Sequence, residues 1–288
     1  MPTTGLNLQI HVNNNLICYD DQGESSIPVV FIHGFPFDKT MWEAQRDYFK
    51  MAHRVIVYDI QGFGRSTCHL EEASMDIFAD DLIHLMDALN VKNAIVCGLS
   101  MGGFIALNAI KRYPERFAGL VLCDTQCIAD TPGTREKRQD TIKLIEKEGL
   151  QAFTKSFIPN IFHEKTLKEN RNLPKRIEAI IMSNNEKTVI KGMKALASRM
   201  ETCSSLSAIS VPTLIICGSD DKITPVEQSE KMLESISNAT LKVIREAGHL
   251  SNMEQPDEFN HHLENFLFEY LPTLNSVSNV LSEPEEIW

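Results

Sequence analysis

Short apolar runs alternate with longer amphipathic stretches along most of this chain. The runs at 29–32 (VVFI), 55–58 (VIVY), 94–97 (AIVC), 120–123 (LVLC), 213–217 (TLIIC) and 241–244 (LKVI) are apolar almost throughout. They are too short and β-branched for helices and too continuously apolar for half-exposed strands, so they predict a buried, mostly parallel sheet. Two more runs, 6–12 and 16–19, flank Asn13-Asn14-Asn15 and predict an opening hairpin. Between the runs lie helical patterns. Residues 75–89 place Ile77, Leu82, Leu85, Met86 and Leu89 near helical spacing, with the acids opposite. Residues 101–112 stop before Tyr113-Pro114, where proline prevents continuation. Thr224-Pro225-Val226-Glu227 combines an N-cap threonine, a first-turn proline and a capping-box glutamate. Phe259, Leu263, Phe266 and Leu267 form the stripe of a last helix.

The alternation fails between Asp124 and Ser210. Helical patterns persist there at 135–148, 164–182 and 186–200, with apolar periodicity through Leu144, Phe153, Phe157, Ile161, Ile177, Ile180 and Ile181. This reads as a helical insertion seated on the sheet. The expected division is an α/β core over 1–124 and 211–271, a helical cap over 125–210, and a loosely ordered tail over 272–288.

Composition narrows the function classes. With 43% hydrophobic and 23% charged residues the chain is ordinarily globular. Lys and Arg total 28 against 39 Asp and Glu, a formal charge of −11, which argues against nucleic acid or an anionic membrane as partner. The seven cysteines include no C-x-x-C pair, and Cys97, Cys123 and Cys217 end apolar runs, where cysteine packs as a small hydrophobe. A reducing compartment follows as the expectation. No run approaches the roughly 18 apolar residues of a membrane span, and no signal-like segment opens the chain, so a cytoplasmic location is expected.

Gly98-Leu99-Ser100-Met101-Gly102-Gly103 joins a predicted strand to a predicted helix. A serine exposed at so sharp a turn needs neighbours without side chains two positions before and after it, and Gly98 and Gly102 stand there. The helix N-terminus adds a positive dipole end and a free N–H at Met101, both suited to a developing oxyanion. A nucleophilic serine needs a base, and the base an orienting acid. In the order serine, acid, histidine, Asp221 follows one strand in GSDDKITP and His249 follows the last in AGHLS. Asp220 and Asp124 are the competing acids. The second oxyanion donor is expected from Phe35 in HGFP, after the strand at 29–32.

Other features read as structural. His33 suits a hydrogen-bonding role, and His261 and His262 a helix surface. The segment 59–66, DIQGFGRS, lacks the lysine spacing of a phosphate loop and reads as a turn. No His, Cys or carboxylate cluster has metal spacing.

With these residues in view, the chain resembles the α/β-hydrolase superfamily over about residues 15–270. The resemblance rests on HGFP at 33–36, DIQGFGRS at 59–66, GLSMGG at 98–103, PTLIICGSDDKITP at 212–225 and GHLSNMEQP at 248–256. It implies an α/β-hydrolase fold, a mostly parallel eight-stranded sheet flanked by helices with a helical cap. It also implies a triad of Ser100, Asp221 and His249 with Phe35 and Met101 as the oxyanion hole. GLSMGG and HLSNMEQP resemble the branch of 3-oxoadipate enol-lactonases and small carboxylesterases. Such lactonases carry an aromatic, often tryptophan, beside an arginine early in the cap, whereas here that stretch reads ADTPGTREKRQDT.

The expected function is hydrolysis of a small-molecule carboxylic ester or lactone through an acyl-serine, with no cofactor. Specificity is expected from the cap and from Trp42, Met101, Phe104, Phe153 and Phe157. Self-association is left open. A cofactor-free haloperoxidase-like oxidoreductase using the same triad is one rival, and a ligand-binding receptor on a hydrolase fold is another. Serine at 100 excludes a dehalogenase with an aspartate nucleophile.

Overall fold

The computed structural model describes residues 4–69 and 72–280, the stretch 272–280 as backbone only. Eight strands form one sheet in the order β1-β2-β4-β3-β5-β6-β7-β8. They are β1 Gly5–Val12, β2 Asn15–Gln22, β3 Val29–Ile32, β4 Val55–Tyr58, β5 Ala94–Leu99, β6 Phe117–Cys123, β7 Thr213–Gly218 and β8 Ala239–Ile244. The apolar runs thus became strands, and β3, β4, β5, β6 and β7 are buried along their whole length. β2 pairs antiparallel with β1 and β4, and every later pairing is parallel. Asn13 and Asn14, both at positive φ, turn the opening hairpin.

The core helices are α1 Glu43–Phe49, α2 Met75–Ala88 and α3 Met101–Arg112. Between β6 and β7, in the stretch expected to form a cap, lie α4 Pro132–Ile161, broken at Gly149 (φ 77, ψ 179), then α5 Glu164–Glu169, α6 Asn172–Ser183 and α7 Glu186–Ser198. The chain closes with α8 Val226–Ser235, α9 Ser251–Glu254 and α10 Pro256–Val280. The last helix continues to Val280, past the tail boundary expected at 272, and the expected loose end SEPEEIW falls outside the described residues. Phe259, Leu263, Phe266 and Leu267 do pack into the core. No helix among the described residues is long and apolar enough to cross a membrane.

Two local expectations fail for traceable reasons. Thr224 does not cap α8, whose cap position is taken by Pro225; the Thr224 hydroxyl donates to Asp221 Oδ2 at 2.7 Å, a charge-assisted bond. Cys127 and Cys203 form a disulfide across the two roots of the cap. Their separation of 76 residues hid the pair from local spacing, and the cysteine argument for a reducing compartment falls with it. Cys97, Cys123 and Cys217 are buried as expected.

The chain leaves β3 for its neighbour β4 and later returns to β5 on the opposite side of β3. Ligands of open α/β sheets bind where the strand order reverses in this way, at the carboxyl ends. The loop after β3 carries Phe35 and the turn after β5 carries Ser100.

Candidate active site

Ser100 lies between β5 and α3 at φ 55, ψ −112, and its side chain makes no helix-capping bond. That left-handed backbone is costly for a residue with a Cβ and persists where function depends on it. The flanking glycines are required by contact. A Cβ on Gly98 would stand 2.2 Å from the Gly102 carbonyl oxygen, and one on Gly102 would stand 2.2 Å from that of Ile32. The turn is therefore pressed onto both its own helix and β3.

The hydroxyl so presented donates to His249 Nε2 at 2.8 Å, and His249 Nδ1–H donates to Asp221 Oδ2 at 2.7 Å. A carboxylate can only accept, so the bond to Asp221 fixes the proton on Nδ1 and leaves Nε2 to accept from the hydroxyl. Asp221 Oδ1 is occupied by the N–H groups of Ile223 at 2.8 Å and Thr224 at 3.0 Å. Burial opposes the charged form of Asp221, yet the facing His249 and these hydrogen bonds outweigh it and hold the carboxyl below its ordinary range. Burial likewise disfavours the imidazolium, but Asp221 lifts His249 above the ordinary histidine value. Of the competing acids, Asp220 points to Ser219 and His163, and Asp124 is engaged by Gly218 and Ser251.

A cavity of about 240 Å³ opens beside this chain of bonds. Ser100, His249, Thr224 and Phe35 line its core side, and Phe104, Phe157, Leu196, Thr134 and Arg138 are among those closing the rest. Met101 is the first residue of α3, where N–H groups lack an intrahelical partner. Phe35 sits in the loop after β3, and Asn184 of the cap clamps that loop by donating to the Pro36 carbonyl at 3.0 Å. His33 anchors its other end, Nδ1–H donating to the Gly34 carbonyl at 2.8 Å and Nε2 accepting from Ile60 N–H at 3.0 Å. Burial pushes His33 down to about 4, so it stays neutral. In the segment 59–66, Asp59 accepts from the N–H groups of Lys39 and Arg65, a structural turn.

Two expected substrate contacts are corrected. Trp42 is fully buried in the core between Phe31 and Phe259, at ring separations of 4.8 and 5.9 Å, and lines no part of the cavity. Phe153 is buried one layer behind, stacked on Phe157 at 5.0 Å and tilted against Phe35 at 6.5 Å. A large aromatic side chain satisfies a core and a pocket equally well, and only the tertiary packing distinguishes them. Phe104 and Phe157 do face the cavity.

A polar group absent from the sequence expectations lines the same cavity. Asp130 accepts from Arg138 Nε at 2.5 Å and from Arg199 Nη1 at 2.5 Å, so two guanidiniums share one carboxylate. Burial favours a neutral Asp130, but both arginines overcome it and hold its carboxyl below the ordinary range. Arg199 lies over the Phe104 ring at 4.3 Å, while Arg138 reaches the cavity. Thr131, Thr134 and Arg138 follow at helical i, i+3 and i+7 spacing, the signal that could have aligned them on one face of α4. Among the described residues, no group of three or more His, Cys, Asp or Glu is arranged to hold a metal ion.

Known proteins repeat this architecture. The sequence pattern of the alpha/beta hydrolase fold matches residues 27–256. A 3-oxoadipate enol-lactonase of Acinetobacter baylyi is 29% identical over 247 residues, 85% of this chain and 91% of that one. A malate-bound esterase from Thermogutta terrifontis superposes with a TM-score of 0.87 at 34% identity, covering 91% of this chain and 98% of its own. A bromoperoxidase from Bacillus anthracis superposes with a TM-score of 0.81 at 26% identity, over 91% and 99% of the two chains. The extent of the family match, together with the strand order and the turn at Ser100, means that this chain belongs to the alpha/beta hydrolase fold family.

Proposed function

We propose that the protein hydrolyses a carboxylic ester or lactone of a small molecule through an acyl-serine. The observation that carries this reading is the unbroken line of hydrogen bonds from Ser100 through His249 to Asp221, opening on a cavity. His249 Nε2 takes the Ser100 proton as Oγ attacks the carbonyl carbon. The resulting oxyanion is met by the N–H groups of Phe35 and Met101, a contact contributing about 3 kcal/mol per donor in such sites. Asp221 keeps the imidazole in the required tautomer and stabilises its positive charge. Collapse returns the proton to the leaving alkoxide, and in a lactone that alkoxide stays tethered to the acyl group. Water, deprotonated by His249, then attacks the acyl-serine and releases the acid.

The arginine pair refines the substrate. Asp130 neutralises one of two guanidinium charges, and the net positive charge left at Arg138 favours a substrate bearing a carboxylate away from the scissile bond. The enol-lactonase relative and the malate-bound esterase are in keeping with that chemistry. The likeness to a bromoperoxidase supports peroxide-dependent halogenation as the second reading, on the same three residues.

The test compares parent and Ser100→Ala on p-nitrophenyl esters of several acyl lengths, on lactones, and in a peroxide-dependent bromination assay. Hydrolysis abolished in the folded alanine variant, with organophosphonate attached to Ser100 in the parent, supports the reading. Labelling elsewhere, or full activity without the hydroxyl, refutes it.

A further inference from the structure

β6 lies between β5, which leads to Ser100, and β7, which leads to Asp221. Its last residue, Cys123, and the two that follow it, Asp124 and Thr125, reach each piece of the site in turn. The Ser100 N–H donates to the Cys123 carbonyl at 2.9 Å, and the Thr125 hydroxyl donates to the Ser100 carbonyl at 2.9 Å. The nucleophile turn is thus held at both its amide groups by one neighbouring strand.

Asp124 faces the other two loops. Its Oδ1 accepts from Gly218 N–H at 2.9 Å, at the root of the loop that carries Asp221. Its Oδ2 accepts from the Ser251 N–H at 3.2 Å and the Ser251 hydroxyl at 2.6 Å, just past His249. Asp124 is fully buried and sits at φ 43. A buried carboxyl at a left-handed position carries both a desolvation and a backbone cost, which persists where the surroundings depend on it. Sheet pairing here does not require a carboxyl, because the strand bond at this residue uses its N–H, donated to the Ile216 carbonyl at 2.9 Å.

We propose that Asp124 is a positioning residue which ties the Asp221 loop to the His249 loop, and that with Cys123 and Thr125 it makes the end of β6 a common mount for the whole triad. The proposal rests on the triad reading above and adds a residue that touches neither Ser100 nor substrate. Releasing the two loops from each other lets the imidazole drift, and a displacement of about 1 Å at a reacting group costs on the order of 100-fold in rate.

The experiment measures kcat and KM for Asp124→Ala and Asp124→Asn, together with the strongly deshielded proton resonance of the His249 Nδ1–H. The alanine variant should lose about 100-fold in kcat while KM changes less than about threefold, and its His249 resonance should broaden or vanish. Asparagine keeps an acceptor for Gly218 and an amide N–H for the Ser251 oxygen but turns that NH2 against the Ser251 N–H, so it should recover part of the lost kcat, at least about threefold, and part of the resonance. A kcat for the alanine variant within about threefold of the parent, a loss carried by KM, or asparagine no better than alanine overturns the proposal. Should Asp124→Ala fail to fold, Ser251→Ala carries the test, since it leaves the Gly218 bond intact. A several-fold fall in kcat at constant KM is then expected, and no fall overturns the proposal. The resonance separates the two readings. A parent inactive on every ester, yet with a His249 signal that still depends on Asp124, refutes the hydrolase and leaves the positioning role standing. A signal indifferent to Asp124→Ala in an active enzyme does the reverse.

Discussion

Replacing Arg138 by methionine should remove a preference for carboxylated substrates while leaving neutral esters nearly untouched. In the parent, Nη1 of Arg138 has the Met193 sulfur at 3.5 Å as its acceptor, a weak partner that a ligand carboxylate would displace. A hydrogen bond to a charged group contributes about 1.5–3 kcal/mol. The Arg138 side chain is 22% exposed, so partial screening by water puts the figure near the lower end, about 2 kcal/mol. At about 1.4 kcal/mol per decade that amounts to roughly 30-fold in kcat/KM. Methionine is shorter than arginine but keeps its unbranched apolar stem, and Asp130 keeps Arg199 at 2.5 Å, so no buried carboxylate is left unpaired. The assay compares a half-ester of a short dicarboxylic acid with the corresponding diester. The half-ester to diester ratio of kcat/KM should fall about 30-fold in Arg138→Met, with the diester changed less than about twofold. The parent's preference should also shrink as ionic strength rises, and the variant's should not. Equal losses on both substrates, or an unchanged ratio, would refute the assignment of the charge to substrate recognition.

Three further outcomes are expected. Asp221→Asn should lower kcat by about 10⁴, whereas Asp220→Asn, whose carboxyl is half exposed and turned toward Ser219 and His163, should leave kcat close to the parent value; stopped assays on both variants decide it. The acid limb of the kcat/KM profile should have its midpoint above the ordinary histidine value of 6.5, because the base works as neutral imidazole and Asp221 stabilises the protonated form against the effect of burial. Activity is then lost as pH falls through that raised value, Asp221→Asn moves the limb to lower pH, and a parent limb below 6.5 contradicts the electrostatics. Phe157→Ala should change the ratio of kcat/KM between long and short acyl esters, while Phe153→Ala, one layer behind, should cost about 3 kcal/mol of stability in thermal or denaturant unfolding and change that ratio little.

The legible parts of the molecule were those with a local cause. Buried parallel strands must be apolar on both faces, so VVFI, VIVY and TLIIC announce themselves. The turn at Ser100 needs glycine at 98 and 102 because backbone presses on both, and that need is written within five residues. Thr224 shows how local signals compete: TPVE has every mark of a helix start, yet the hydroxyl goes to Asp221, three residues earlier in the same loop. The cavity wall was less legible still. Whether Trp42, Phe153 or Phe157 faces substrate depends on how cap and sheet meet, which helical phase alone does not specify. Arg138 was hidden by its neighbours in a run of charged residues, where a solvated surface is the ordinary expectation and the buried Asp130 that orients it is eight residues away.

The disulfide at the roots of the cap bears on how the protein can change over time. Cys127 and Cys203 stand 4.8 Å apart at Cα, although 76 positions separate them along the chain. Along the chain, the strands β6 and β7 therefore meet the span between the cysteines as an insertion of almost no length, while Asn184 at Pro36 and Ile161 at the His249 N–H tie it to the core through space. Closing a loop of this size removes about 4–5 kcal/mol of entropy from the denatured ensemble in the chain-entropy account, a quantity that varies only with the logarithm of loop length. Helices inside the loop can be lengthened, shortened or exchanged with little change in that contribution and none in the spacing of the strands outside it. The cross-link thus shields the register of the sheet from changes of length within the insertion, as long as the residues that meet Pro36 and His249 are kept.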